Sequence, residues 1–143
     1  MKKIMTIAAA VFFFAAIASA DDRHVDVNRL PETIKTFLNS NYPSVQILYS
    51  TKDDDLIRPD YNVALENGVK LEFYNDGALK KIDARDGVPS SLIPVQIVQY
   101  VKGRYPDALF VGYEVDRKHY EVKLSNRLEL KFSKNYNLIE IDD

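Results

Sequence analysis

Two kinds of apolar spacing follow one another along the chain after residue 20, and the succession occurs twice. Leu30, Ile34, Phe37 and Leu38 stand at i, i+4, i+7 and i+8, the stripe of an amphipathic helix, with Pro31 suited to its first turn and Pro43 to its end. Ile93, Ile97, Tyr100 and Val101 repeat the stripe, with Ser90 or Ser91 available as a cap and Pro106 as the stop. Behind each helix the period changes from 3.6 to 2, predicting strands over residues 44–52 and 108–116, then 61–65 and 120–124.

Parity sets the pairing of these strands. Val69, Leu71 and Phe73 join the apolar face of Tyr61, Val63 and Leu65 only if Leu65 pairs with Val69, which leaves Glu66, Asn67 and Gly68 as a three-residue loop with glycine at the left-handed position. In the second copy the same register sets Lys123 against Glu129 and Glu121 against Lys131, each pair contributing roughly 0.2–1 kcal/mol. Arg127 replaces Gly68 there, and a left-handed conformation would cost it about 1–2 kcal/mol, so this second loop is expected to differ in shape. Asn75, Asp76 and Gly77 turn the chain into a strand at 78–83, and Lys134 and Asn135 introduce its counterpart at 137–142. Leu79 and Ile82 differ in parity, as do Leu138 and Ile141, which predicts a bulge or a change of face in the last strand of each copy.

The copies also agree residue by residue. At an offset of 59, Tyr61, Val63, Leu65, Asn67, Leu71, Phe73, Leu79, Ile82 and Asp83 recur as Tyr120, Val122, Leu124, Asn126, Leu130, Phe132, Leu138, Ile141 and Asp142. Upstream, at an offset of 63, Pro31, Ile34, Tyr42 and Pro43 recur as Pro94, Ile97, Tyr105 and Pro106. The expected fold is α+β: a helix plus a four-stranded antiparallel sheet, repeated over 30–86 and 87–143. A short linker holding Gly87 and Pro89 lets the two sheets abut. Residues 21–29 are polar and aperiodic, and are expected to form a flexible terminus.

Composition narrows the setting. Lys2 and Lys3 precede an apolar run from residue 4 to 17, and Ala18, Ser19 and Ala20 supply small residues before Asp21, so residues 1–20 are read as a secretory signal peptide. The run is shorter than the roughly 20 residues that span a bilayer, so no membrane span is expected after cleavage. The chain has no cysteine, which excludes disulfides, thiol nucleophiles, thiolate metal sites and a lipid-bearing cysteine. Removing 20 residues from 143 leaves 123, with a net charge of −4 and no basic block. A periplasmic monomer with no nucleic-acid partner is the expectation.

Candidate chemistry is sparse. His24 lies in the polar terminus and His119 begins a strand beside Arg117 and Lys118, with no matching serine or acid, so an enzyme is not expected. Calcium is the candidate cofactor: Asp53, Asp54, Asp55 and Asp60 cluster in a loop four residues longer than its counterpart, and hard cations take carboxylate oxygens. A solvated charged loop is the ordinary reading of the same residues, since EF-hand spacing is missing. Tyrosines invite a recognition reading, but Tyr42, Tyr105, Tyr61 and Tyr120 repeat at helix-end or core-face positions and are expected to pack. The outward sheet face carries the partner-binding candidates: Asn62, Lys70, Glu72 and Tyr74 from the first copy, Glu121, Lys123, Glu129 and Lys131 from the second.

Leu30-Pro31, Ile34, Phe37-Leu38 and Tyr42-Pro43, followed by Tyr61-x-Val63-x-Leu65-x-Asn67-Gly68-x-Lys70-Leu71-Glu72-Phe73, Asp76-Gly77 and Ile82-Asp83, resemble the exported PepSY-like proteins of Bacteroides-type bacteria. The resemblance implies a fold similar to beta-lactamase inhibitory proteins, with tandem helix-plus-four-strand units whose sheets join into one curved sheet under helices on one face. It further implies a periplasmic, non-enzymatic binding or inhibitory module acting on another, unidentified periplasmic protein. The matched residues are core, turn and helix-end positions, so no functional residue carries over. A calcium-linked structural or sensory module using the loop from Asp53 to Asp60 is the alternative.

Overall fold

A computed structural model describes residues 22–53, 57 and 59–143. Nine strands form one antiparallel sheet in chain order: β1 (Asp22–His24), β2 (Ile47–Asp53), β3 (Tyr61–Leu65), β4 (Lys70–Phe73), β5 (Leu79–Asp83), β6 (Phe110–Val115), β7 (His119–Leu124), β8 (Glu129–Ser133) and β9 (Leu138–Asp142). Helix α1 (Glu32–Asn41) precedes β2 and helix α2 (Val95–Arg104) precedes β6. Each repeat is thus a helix followed by a four-stranded meander. Pairing of β5 with β6, through Lys81 opposite Glu114, Ile82 opposite Tyr113 and Asp83 opposite Gly112, fuses the two sheets.

Both helices cover the same side. Ile34 and Leu38 of α1 and Ile97 and Val101 of α2 are buried with Val63, Leu71, Phe73, Val122, Leu130 and Phe132 in one apolar cluster. The repeat persists at ring level: Phe37 meets Phe73 edge-on at 5.2 Å, and Tyr100 meets Phe132 edge-on at 5.4 Å. Edge-on pairs add to the apolar burial that is the main stabilising term. Tyr42, Tyr61, Tyr105 and Tyr120 pack against this cluster, as their repeated positions predict, and Tyr113 is buried within it.

The helices start without a serine cap. Pro31 and Pro94 occupy the cap positions in extended conformation, and the Pro94 carbonyl accepts from the amides of Ile97 and Val98. Ser90 and Ser91 instead lie in a 3-10 turn one step upstream.

Hairpin register follows parity. Val63 faces Leu71 and Ala64 faces Lys70 in the first repeat; Glu121 faces Lys131 and Lys123 faces Glu129 in the second. The predicted bulges occur where β5 pairs with β4 and β9 with β8, leaving Lys80 and Ile139 as the extra residues.

Two expectations are corrected. The loop at Arg127 keeps the shape of its glycine counterpart: φ is +77° at Arg127 and +89° at Gly68. In both loops the residue-i amide bonds the carbonyl four residues on, Leu65 to Val69 and Leu124 to Leu128, each at 2.9 Å. The hydrogen bonds of the turn hold the backbone, and arginine accepts the left-handed conformation. Second, the polar segment expected to be a flexible terminus takes regular structure from residue 22. The buried Ser50 hydroxyl donates to the Val25 carbonyl at 2.6 Å and the Val25 amide donates to the Ser50 carbonyl, anchoring β1 on β2. The signal-peptide reading falls on residues outside those described.

Candidate functional site

Alternation leaves the sheet side opposite the helices lined with polar groups, and the strand pairings align them into two rows. One row runs Tyr49, Ala64, Lys70, Asp83, Gly112, Lys123, Glu129, Asp142. The other runs Thr51, Asn62, Glu72, Lys81, Glu114, Glu121, Lys131, Glu140, with His24 ahead of it on β1. Apart from Tyr74, every partner-binding candidate from the sequence falls in these rows. Lys81, Asp83, Gly112 and Glu114, at the junction of the repeats, were missed; the strand pair that places them joins segments separated by linker and α2, so no hairpin parity reveals its register.

Gly112 sits at the centre of the face. Asp83, Lys123, Glu114, Glu121, Lys81 and Glu129 surround it, bounding a depression of about 100 Å³. A Cβ at position 112 would stand 3.1 Å from the Lys123 Cβ and 3.3 Å from an Asp83 carboxylate oxygen, so the missing side chain lets those neighbours close in.

Charges along the rows alternate except at the centre and at the β8–β9 end of the first row, where Glu129 faces Asp142. Lys123 contacts Glu129 at 3.4 Å, Lys131 contacts Glu140 at 3.8 Å, and Lys81 lies 4.0 Å from Asp83. Glu114, however, stands directly opposite Glu121. Burial raises the Glu121 pKa above the ordinary carboxylate range and the Glu114 charge adds to it, with Lys131 partly offsetting both. Burial likewise raises Glu72, against the neighbouring ammonium groups of Lys81 and Lys80. The face carries seven acids (Glu72, Asp83, Glu114, Glu121, Glu129, Glu140, Asp142) against four lysines (Lys70, Lys81, Lys123, Lys131), and is therefore net acidic.

Tyr74 departs from its expected role. Its hydroxyl donates to the Val115 carbonyl at 2.7 Å, and the Lys80 ammonium sits 5.5 Å from its ring centroid, so this side chain links the repeats. Of the metal candidates, Asp54 and Asp55 lie outside the described residues. The Asp53 amide donates to the Asp60 carbonyl at 3.0 Å, and the Asp60 carboxylate holds the Lys80 ammonium at 2.7 Å. Among the described residues no group of three or more potential metal ligands converges. His119 lies 3.9 Å from Asp116 within its own hairpin, and His24 stands edge-on to Tyr49 at 6.4 Å. No described helix is long and apolar enough to cross a membrane.

Comparison with known proteins places this geometry. The family model described as "Putative beta-lactamase-inhibitor-like, PepSY-like" matches twice, over residues 18–81 and 59–140. The chain belongs to the PepSY-like family.

Solved structures share this fold over most of the chain. A protein from Bacteroides thetaiotaomicron described as a "putative calcium-regulated periplasmic protein" is 36% identical, with a TM-score of 0.82 over 85% of this chain and 97% of its own. A "putative periplasmic protein" of the DUF2874 family from Bacteroides vulgatus is 37% identical, with a TM-score of 0.83 over 87% and 98%. Another from the same organism, of unknown function, is 32% identical, with a TM-score of 0.80 over 85% and 99%. No curated protein matches the chain.

Proposed function

We propose that this PepSY-like protein is an exported, non-enzymatic binding module that inhibits or adapts another periplasmic protein through its open sheet face. The observation that carries the reading is the nine-strand face itself: the helices cover only its reverse, and its net acidic rows converge on the depression over Gly112. A partner presenting basic side chains matches that charge, and complementary potentials speed encounter and set register. The periplasmic description of the solved relatives supports the location.

Capture from a periplasmic extract tests it, using the mature protein and a Glu114→Ala/Glu121→Ala/Lys81→Ala variant as baits. The wild type retains a protein that the variant, folded by circular dichroism, releases. Equal retention by both baits removes the face from the account.

A second reading, calcium linkage through residues 53–60, is favoured by the description of the Bacteroides thetaiotaomicron relative. Cation binding at Asp60 would have to release Lys80 from its 2.7 Å contact. Thermal unfolding in millimolar calcium and in chelator decides it: an unchanged midpoint ends this reading.

A further inference from the structure

The two repeats end differently, and the difference marks a second docking site. In the first repeat β5 is completed by β6: Ile82 is fully buried opposite Tyr113, with Lys81 opposite Glu114. In the second, β9 is the last strand of the sheet, and no described strand lies beyond it. Ile141, the counterpart of Ile82, is 46% exposed, and the bulge residue Ile139 is 53% exposed. An apolar row at a sheet edge is a template for an added strand.

Charge selects the occupant. The position of Lys81 is taken in β9 by Glu140, and Asp142 follows two residues on. A strand added as β6 is added to β5 would meet acid, isoleucine, acid. We propose that β9 receives an extended segment of another protein that places a large apolar or aromatic residue opposite Ile141, flanked at alternate positions by lysine or arginine. Self-pairing is disfavoured, because an antiparallel β9 pair centred on Ile141 would set Glu140 opposite Asp142. The docking differs from capture on the open face in that β9 would offer its backbone edge, although Glu140 and Asp142 also end the two polar rows of that face.

The β6 sequence itself supplies the probe. A capped peptide Phe-Val-Lys-Tyr-Lys-Val replaces the residues corresponding to Gly112 and Glu114 with lysine, and its control carries glutamate at both. By isothermal titration the lysine peptide binds and the glutamate peptide binds on the order of tenfold more weakly, as expected for two cross-strand pairs changing sign. Amide chemical shifts move along residues 138–142 and not around Gly112. In a Glu140→Lys/Asp142→Lys variant, shown to be folded by circular dichroism, the preference reverses. Equal binding of both peptides, shifts confined to residues around Gly112, an unreversed preference, or a dimer formed through β9 in the free protein would each overturn the proposal.

Discussion

The Tyr74 hydroxyl donates to the Val115 carbonyl at 2.7 Å, crossing from the first repeat to the backbone of the second. The bond spans 41 positions in the chain and sits beside the β5–β6 seam, where the two sheets become one. Replacing Tyr74 by Phe removes the donor while keeping the ring, leaving the Val115 carbonyl to find another partner. Such a loss costs about 0.5–1.5 kcal/mol. Urea denaturation should show that decrease for Tyr74→Phe with an unchanged slope, and a stability equal to wild type would make the bond energetically idle.

Backbone strain yields a second expectation. Gly68 and Arg127 occupy equivalent left-handed positions, at φ +89° and +77°. Arg127→Gly should therefore stabilise the protein by about 0.5–1 kcal/mol, the relief of left-handed strain less the added freedom of glycine in the unfolded chain. Gly68→Ala should destabilise it by about 1 kcal/mol through conformation alone, because no atom lies within 4 Å of the added Cβ. Gly77→Ala should cost more, since its Cβ would collide with the Thr33 hydroxyl and lie 2.7 Å from the Thr33 Cβ on α1. The three midpoints in one denaturant series check the order.

These residues also show how far the sequence is legible. The stripe at Ile34 and Leu38 declares a helix, and the alternation at Val63, Leu65, Leu71 and Phe73 fixes hairpin register, because a one-residue slip would turn the apolar set to water. The parity break between Leu79 and Ile82 announces the bulge at Lys80 for the same reason. The site is less legible. Glu114 and Lys81 become neighbours through the β5–β6 pairing, whose strands are separated in the chain by the linker and α2 and not joined by a tight turn. Asp60 reads as a metal ligand among aspartates, yet the bulge that expels Lys80 from the ladder delivers that ammonium to it. Strand β1 pairs with β2 and is fastened at its end by a buried hydroxyl, Ser50, that resembles any other polar residue in a strand.

The Lys80–Asp60 contact can be measured directly. Side-chain exposures of 30% and 14% place it between a solvated surface pair and a buried one. A double-mutant cycle with Lys80→Met and Asp60→Asn should give a coupling of about 1 kcal/mol, retained in chelator and reduced little by 0.5 M salt. Zero coupling would show that Asp60 serves something other than the lysine.

At the other extreme of pH, the buried Tyr113 phenol is pushed up to about 12 by burial, with Tyr120 and Tyr136 adding to the shift. A pKa raised on folding means that the native state holds its proton more tightly than the unfolded chain. The resulting stability is complete below the ordinary phenol value near 10 and is lost as pH climbs toward 12. The loss by pH 12 is roughly 2 kcal/mol. Alkaline unfolding followed at fixed urea should steepen in this window, and Tyr113→Phe should flatten it.

Glu121 makes the corresponding case in acid, with the same sign. Its pKa is raised first by burial and then by Glu114 opposite it, so the folded protein binds this proton more tightly than the unfolded chain does. Its favourable contribution is therefore present below the unfolded glutamate value and lost as pH rises through the raised folded value. At pH 7 the charged carboxylate is a burden that a neutral isostere lacks. Glu121→Gln should consequently be more stable than wild type at pH 7, by a few tenths of a kcal/mol once the loss of the Lys131 pairing is included. As pH falls through the carboxylate range the wild type takes up the proton, and the advantage should shrink toward zero. An advantage constant from pH 7 to pH 4 would place its cause in packing, and would remove the repulsion between Glu114 and Glu121 from the centre of the acidic face.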